Sequence, residues 1–223
     1  MGTKFSTRVW VSVVGIASIF FGSKGYADTV ISVADFGLKP DTRENAVAYV
    51  QKAIEACRGK EPVTLVFPEG RYDFWPQYAH EKNYYETNTY DVFPKRLAML
   101  FEGLHNITVD GNGSQFVMHD RIQPITVENC DGVTLKNFSI DWDIPLTAQA
   151  RVTKVGSDFF EIEINVLESP YIIEDGKLVF VGEGWKSALG SMIEFESDTH
   201  FVVPGTGDLV LGWNWGDYTA VSP

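Results

Sequence analysis

When the chain is shifted by 26 residues, Phe101-Glu102-Gly103-Leu104-His105-Asn106-Ile107-Thr108-Val109 overlays Val127-Glu128-Asn129-Cys130-Asp131-Gly132-Val133-Thr134-Leu135. Glu falls on Glu and Thr on Thr, while Phe101, Leu104, Ile107 and Val109 fall on Val127, Cys130, Val133 and Leu135. Self-similarity at a period of roughly 20 to 50 residues, made of short β-branched runs broken by Gly, Asn and Asp, marks a solenoid whose coils bury their apolar faces on one another. A 26-residue period suits one coil of a parallel β-helix, in which strands stack directly over their counterparts and like residues form ladders. Two antiparallel hairpins of similar sequence are the alternative.

The same register extends backwards. Val63-Thr64-Leu65 matches Ile107-Thr108-Val109 in type, but at an offset of 44, one coil plus 18 extra residues. The extra residues fall between Tyr72 and Phe93, a stretch that also holds Phe74, Trp75, Tyr78, Tyr84, Tyr85 and Tyr90. Aromatic faces on a projecting loop can stack on sugar rings, or the loop can fold over its own aromatics as a cover. Before this stretch, Ala46, Val50, Ala53, Ile54 and Cys57 recur at spacings of three and four, which predicts an amphipathic helix. Asp41 with Glu44 reads as its capping box, and Gly59 with Pro62 as its stop. Ile31-Ser32-Val33 ahead of it alternates like a strand, so a single helix caps the end of a β structure.

After Asp143 the 26-residue rhythm is lost. Phe160, Ile162, Ile164 and Val166 alternate with Glu161, Glu163 and Asn165, the pattern of a strand with one buried and one wet face. Gly156-Ser157-Asp158 and Glu174-Asp175-Gly176 supply turns, so residues 150 to 181 read as an antiparallel hairpin or meander.

Lys4 and Arg8, the apolar run from Val9 to Phe21 and the small residues at Gly25-Tyr26-Ala27 have the layout of a cleaved secretory signal; the run is shorter than the roughly 20 residues a membrane-spanning helix needs. The expected organisation is a signal peptide at 1–27, a cap and first coils at 28–148, and an antiparallel β insertion, incomplete, at 149–223. The expected location is outside the cytoplasm: periplasmic, outer-surface or secreted, without stable membrane insertion after cleavage. The whole chain carries 18 Lys+Arg against 30 Asp+Glu; cleavage would remove Lys4, Arg8 and Lys24 and no acid, leaving 15 basic residues and a net of −15. That charge repels phosphate backbones and acidic polysaccharides, which excludes nucleic acid as an expected partner. Cys57 and Cys130 could pair in an oxidising compartment, but both occupy apolar positions of periodic segments and read as buried thiols.

Val33-Ala34-Asp35-Phe36-Gly37, the helix through Gln51–Cys57, and Leu65-Val66-Phe67-Pro68-Glu69-Gly70-Arg71-Tyr72 together resemble the N-terminal cap of the pectin-lyase-like right-handed β-helix superfamily. Arg71-Tyr72-Asp73-Phe74-Trp75-Pro76, Val109-Asp110-Gly111-Asn112-Gly113, His119-Asp120-Arg121 and Ser139-Ile140-Asp141-Trp142-Asp143-Ile144-Pro145 resemble the bacterial α-1,3-galactosidases of glycoside hydrolase family 110. The resemblance implies an all-β, right-handed parallel β-helix with a cap helix and an inserted antiparallel unit. It also implies an exo-acting hydrolase that removes terminal α-1,3-linked galactose from blood-group-B-type glycans, with inversion and with no metal or other cofactor. Members of that family are longer, so this chain corresponds to an N-terminal portion, truncated at the C-terminus.

Inverting hydrolysis needs one carboxyl to protonate the leaving oxygen and one carboxylate to activate water, roughly 6.5 to 9.5 Å apart. Asp141 and Asp143 are two apart around Trp142, which on a strand sets them on one face about 6.6 Å apart at their α-carbons. They are the candidate catalytic pair, although the superfamily usually draws its acids from later coils, which leaves room for acids beyond Pro223. Their alternative role is to cap a strand end or hold substrate hydroxyls. Asp120, Arg121, Trp142 and Trp75 are the candidate sugar-binding residues, with a structural ion pair as the other reading of Asp120 and Arg121. No His/Cys/Asp spacing fits a zinc site, and no Gly-x-Ser-x-Gly elbow is present. Two other classes stay open. A polysaccharide lyase of the same fold would want a basic cleft, which the charge disfavours; the other is a non-catalytic carbohydrate-binding or adhesin β-helix fragment.

Overall fold

The computed structural model describes residues 29–83, 94–204, 209–210 and 219–220. The expected signal peptide and Tyr84, Tyr85, Tyr90 and Phe93 of the aromatic stretch lie outside the described residues. The described chain is mostly strands: β1 (Thr29–Ser32), helix α1 (Val47–Cys57), β2 (Val63–Val66), β3 (Arg71–Phe74), β4 (His80–Lys82), β5 (Lys95–Glu102), β6 (His105–Met118), β7 (Gln123–Glu128) and β8 (Asp131–Trp142) form the first part. The second part holds β9 (Ala150–Val155), β10 (Phe160–Ile164), β11 (Tyr171–Glu174), β12 (Lys177–Gly182), β13 (Trp185–Ala188), β14 (Ser191–Met192) and β15 (Leu209–Val210).

In the first part the strands stack in parallel. β8 lies on β6 with Ile107 opposite Val133, Thr108 opposite Thr134 and Val109 opposite Leu135, the 26-residue register of the repeat. β7 lies on β5 in the same register, Phe101 on Val127 and Glu102 on Glu128. The 44-residue offset is also realised, with Val63 opposite Ile107 and Leu65 opposite Val109. The register then shifts between Asp110 and Ser114, so that Gln115 meets Ser139 and Val117 meets Asp141, at an offset of 24. The turn that absorbs the two residues, Asn112 (φ 50°) and Gly113 (φ 84°), sits beside Gly111. A Cβ at Gly111 would lie 2.5 Å from the Phe138 Cβ, so only glycine lets the two coils approach here.

Alternation sorts the side chains. Phe67, Tyr72, Phe74 and Phe116 are buried together, with Phe67 and Phe116 ring centroids 4.7 Å apart; Phe138 stacks on Phe116 at 4.7 Å. Tyr72 and Phe74 therefore belong to β3 and the core and not to a projecting loop. β4 turns the chain back to pair antiparallel with β5. On the outer face, the stacked carboxylates of Glu102 and Glu128 are both bonded by the Lys82 ammonium, which offsets their mutual repulsion.

α1 closes the end of the stack through Val47, Val50, Ala53, Ile54 and Cys57, the stripe its periodicity predicts. Its start differs from expectation. Asp41 has φ 62° and its Oδ1 accepts the N–H of Arg71 at 2.9 Å; it does not cap the helix. Asn45 does that work, accepting the N–H of Val47 at 3.1 Å while donating to the Gln77 carbonyl at 2.8 Å. The capping box of this region belongs instead to Ser32 and Asp35, which hold a 3-10 turn over Val33–Phe36, so Val33 is not a strand residue. Cys57 and Cys130 are free thiols, the first buried and the second half-buried.

The second part is antiparallel: a β9–β10 hairpin with a bulge at Glu161/Ile162, and a β11–β12–β13 meander. The turn Asp175-Gly176 has φ of 51° and 72°, the mirror-image turn that matches strand twist in a two-residue hairpin. No helix among the described residues is long and apolar enough to cross a membrane.

Candidate active site

Arg71 and Asp73 are two apart on β3 and so project from the same face, opposite the buried Tyr72 and Phe74. Asp73 is a polar residue only 1% exposed, and its surroundings explain how a charge is tolerated there. Arg71 donates to it through Nε at 3.0 Å and through Nη2 at 2.6 Å. His119, which follows β6 and is equally buried, places Nε2 at 2.8 Å from the same carboxylate. Burial works against the charged form of Asp73, but the hydrogen bonds from Arg71 and then His119 outweigh it and hold the carboxyl below its usual range.

The network extends at both ends. Arg71 Nη2 also donates to Asp143 Oδ1 at 2.7 Å, and the two carboxylates together raise the Arg71 guanidinium above its ordinary value. His119 Nδ1 lies 2.6 Å from Glu183 Oε2, in the turn between β12 and β13. Each ring nitrogen of His119 thus faces a carboxylate oxygen within hydrogen-bond distance. Trp75 stacks on that ring, centroids 3.8 Å apart and planes 13° apart. Glu183, His119, Asp73, Arg71 and Asp143 form a continuous hydrogen-bonded chain.

Asp73, His119 and Asp143 also bring ligand atoms within 4.8 Å of one another, as a metal site would. A cation could gather them only by displacing Arg71, whose Nη2 already bonds both carboxylates, and by taking a ring nitrogen from Asp73 or Glu183. The residues fit the internal cation better than a bound one.

The candidate pair stays close in sequence but differs in setting. Asp141 is exposed on β8, in register with Val117, and its Oδ1 accepts the N–H of Trp142 at 2.8 Å. Asp143 lies just past the strand, held by its N–H to the Met118 carbonyl at 3.0 Å and by Arg71. Trp142 points the other way: its ring packs against the core and its indole N–H donates to the Asp120 carbonyl at 3.1 Å. Asp120 (φ 55°) and Arg121 form no ion pair with each other among the described residues. Asp120 Oδ1 accepts the Arg121 backbone N–H at 2.7 Å, and the Arg121 guanidinium lies 5.7 Å above the Trp185 ring. An open hollow of about 460 Å³ adjoins Trp75, lined also by Pro76, Gln77, Tyr78, Glu81 and Arg96.

The structure therefore groups Asp143, Trp75, Asp120, Arg121 and Trp142 around His119, and adds Arg71, Asp73 and Glu183, which pattern reading had not singled out as site residues. Two signals were there to find: a charge between two aromatics on a strand at Asp73, and an acid between two glycines at Gly182-Glu183-Gly184.

Residues 148–222 match the family model described as GLAA-B beta-barrel domain I. The α-1,3-galactosidase B of Bacteroides thetaiotaomicron is 59% identical over 197 residues, which is 88% of this chain and 32% of that protein. The α-1,3-galactosidase A of Shewanella woodyi is 36% identical over 75% of the chain and 28% of its own length. The α-1,3-galactosidase B of Akkermansia muciniphila is 30% identical over 86% of the chain and 24% of its own. The chain spans about a third or less of these curated relatives. Identity at this level along most of its length makes the chain a homologue of the bacterial α-1,3-galactosidases A and B.

Proposed function

We propose that the chain is part of an exo-acting glycoside hydrolase that removes terminal α-1,3-linked galactose from blood-group-B-type glycans, inverting and without a metal. The carrying observation is the hydrogen-bonded chain from Glu183 to Asp143, which fixes one partly exposed carboxylate two residues from Asp141. Asp143, its charge matched by Arg71, activates the water; Asp141, outside the reach of that guanidinium, protonates the leaving oxygen. Trp75, Asp120 and Arg121 form the surrounding wall, the Trp75 face suited to the apolar face of galactose and the charged groups to its hydroxyls, while Trp142, its ring against the core, holds the Asp120 carbonyl. The parallel ladders are the first coils of a right-handed, pectin-lyase-like β-helix, residues 28–148, with 149–223 as an attached antiparallel unit. Residues 1–27 direct export, which brings the enzyme to extracellular glycans.

The test is galactose release from a Galα1-3Gal disaccharide. It is run on the chain alone and on a chimera in which the chain replaces the matching third of the Bacteroides thetaiotaomicron α-1,3-galactosidase B. The chimera is expected to release β-galactose first, seen by proton NMR, with the rate unchanged by chelator and lost in Asp141→Asn or Asp143→Asn. Full activity in both variants rejects the site, and α-galactose as first product rejects inversion.

A further inference from the structure

Glu183 and Gly184 of the β12–β13 turn, with Trp185 at the start of β13, meet three consecutive residues after β6. Glu183 bonds His119 at 2.6 Å, Gly184 packs on Asp120, and the Trp185 ring lies under the Arg121 guanidinium at 5.7 Å. The middle contact is tight. A Cβ at Gly184 would lie 2.5 Å from Asp120 Oδ2, and the residue's φ of 76° is one that side-chain-bearing residues rarely adopt. Two elements 64 residues apart in sequence therefore dock in register, with glycine where they come closest.

The outer two contacts involve charges. His119 is 2% exposed at its side chain; its ring is set by Asp73 on one nitrogen, Glu183 on the other and Trp75 on its face. Without Glu183 the buried Nδ1 lacks its hydrogen-bond partner, and the ring is free to rotate. Asp73 would then lose its contact with Nε2, and Arg71 would redistribute between Asp73 and Asp143.

We infer that the antiparallel unit completes the candidate site: Glu183 is a positioning residue that fixes His119 and, through Asp73 and Arg71, sets the orientation of Asp143. Glu183 is 35% exposed at its side chain and is linked to Asp143 through His119, Asp73 and Arg71, so its action on Asp143 runs through that chain. This inference rests on the catalytic reading of Asp143 for its kinetic part, but its structural part does not.

The experiment uses Glu183→Ala and Glu183→Gln, the latter keeping a neutral acceptor for Nδ1. In the chain itself, nitrogen-15 NMR of the His119 ring is expected to show a hydrogen-bonded Nδ1 in the parent and in Glu183→Gln, and loss of that hydrogen bond in Glu183→Ala. In the chimera, kcat for galactose release is expected to fall about tenfold to a hundredfold in Glu183→Ala, the scale of a misplaced catalytic group, with KM within about twofold. Glu183→Gln is expected to recover most of that loss, which a merely destabilising change would not give. An unchanged ring in Glu183→Ala, or an unchanged kcat in an active chimera, overturns the inference. If the parent chimera releases no galactose, the proposed function fails while the NMR comparison still decides whether Glu183 orients His119.

Discussion

Replacing Asp73 with alanine should be among the most damaging single changes to this fold, and the magnitude follows from its contacts. Its carboxylate is fully buried and accepts from Arg71 at 2.6 and 3.0 Å and from His119 at 2.8 Å. Hydrogen bonds to charged groups contribute about 1.5–3 kcal/mol each, and removing one member of a buried charge network costs about 3–5 kcal/mol because the partners stay buried and unmatched. Arg71 is 24% exposed at its side chain and can recover some hydration; His119, at 2%, cannot. An expected loss of about 3–5 kcal/mol lowers the melting temperature by about 6–20 °C for a chain of this size. Asp73→Asn, which keeps one neutral acceptor, should lose about half as much. Acid supplies the control. Because Asp73 titrates below its unfolded value, its contribution is complete above the unfolded carboxylate pKa of about 4 and is lost as pH falls through the folded value. Urea unfolding of parent, Asp73→Ala and Asp73→Asn, followed by near-UV circular dichroism at pH 7 and pH 3, measures both effects. A loss below about 0.5 kcal/mol at pH 7, within the range of ordinary surface substitutions, would refute the reasoning. So would a parent–Asn gap that does not narrow in acid.

Phe116→Ala should cost about 3–5 kcal/mol by the same urea measurement, since the ring fills the space between Phe67, Phe74 and Phe138 and no neighbour can collapse into it. The Cys57 thiol is pushed up to about 11, chiefly by burial, so at pH 8 it should label with a thiol reagent only on unfolding while half-buried Cys130 labels first. Lys82→Met should leave Glu102 and Glu128 stacked without their shared cation, giving a modest drop in stability that shrinks as salt is raised.

The coil register was legible because in-register stacking forces like residues onto like positions: Ile107 on Val133 and Thr108 on Thr134 can be read by sliding the sequence. The α1 stripe was legible for the same local reason, a 3.6-residue period facing one apolar surface. The capping of α1 was not. Asp41 and Glu44 satisfy the pattern of a capping box, but the Arg71 backbone N–H, 30 residues away, claims the Asp41 carboxylate, and Asn45 takes over. The candidate site was legible only in pieces. The His119-Asp120-Arg121 and Asp141-Trp142-Asp143 blocks stood out as polar runs in β-rich sequence, and alternation sets Trp142 on the face opposite the two acids, yet nothing local says that Asp143 reaches Arg71.

The sequence by itself determined a 26-residue register, a helical cap, an antiparallel unit after Asp143 and an acidic composition, because each of these depends on periodicity or composition within a short window. Only the tertiary structure decided that the repeats pair in parallel, and it alone decided the arrangement of the candidate site. Whether Asp73 meets His119 depends on the 44-residue offset that lays β3 on β6, and where Asp143 falls beside them depends on the shift from a 26- to a 24-residue register between β6 and β8 at Gly111–Gly113. Whether His119 meets Glu183 depends on how a separate sheet docks, with a glycine at the point of closest approach. Charges buried together must find one another across such distances, since each alone would be too costly to remove from water.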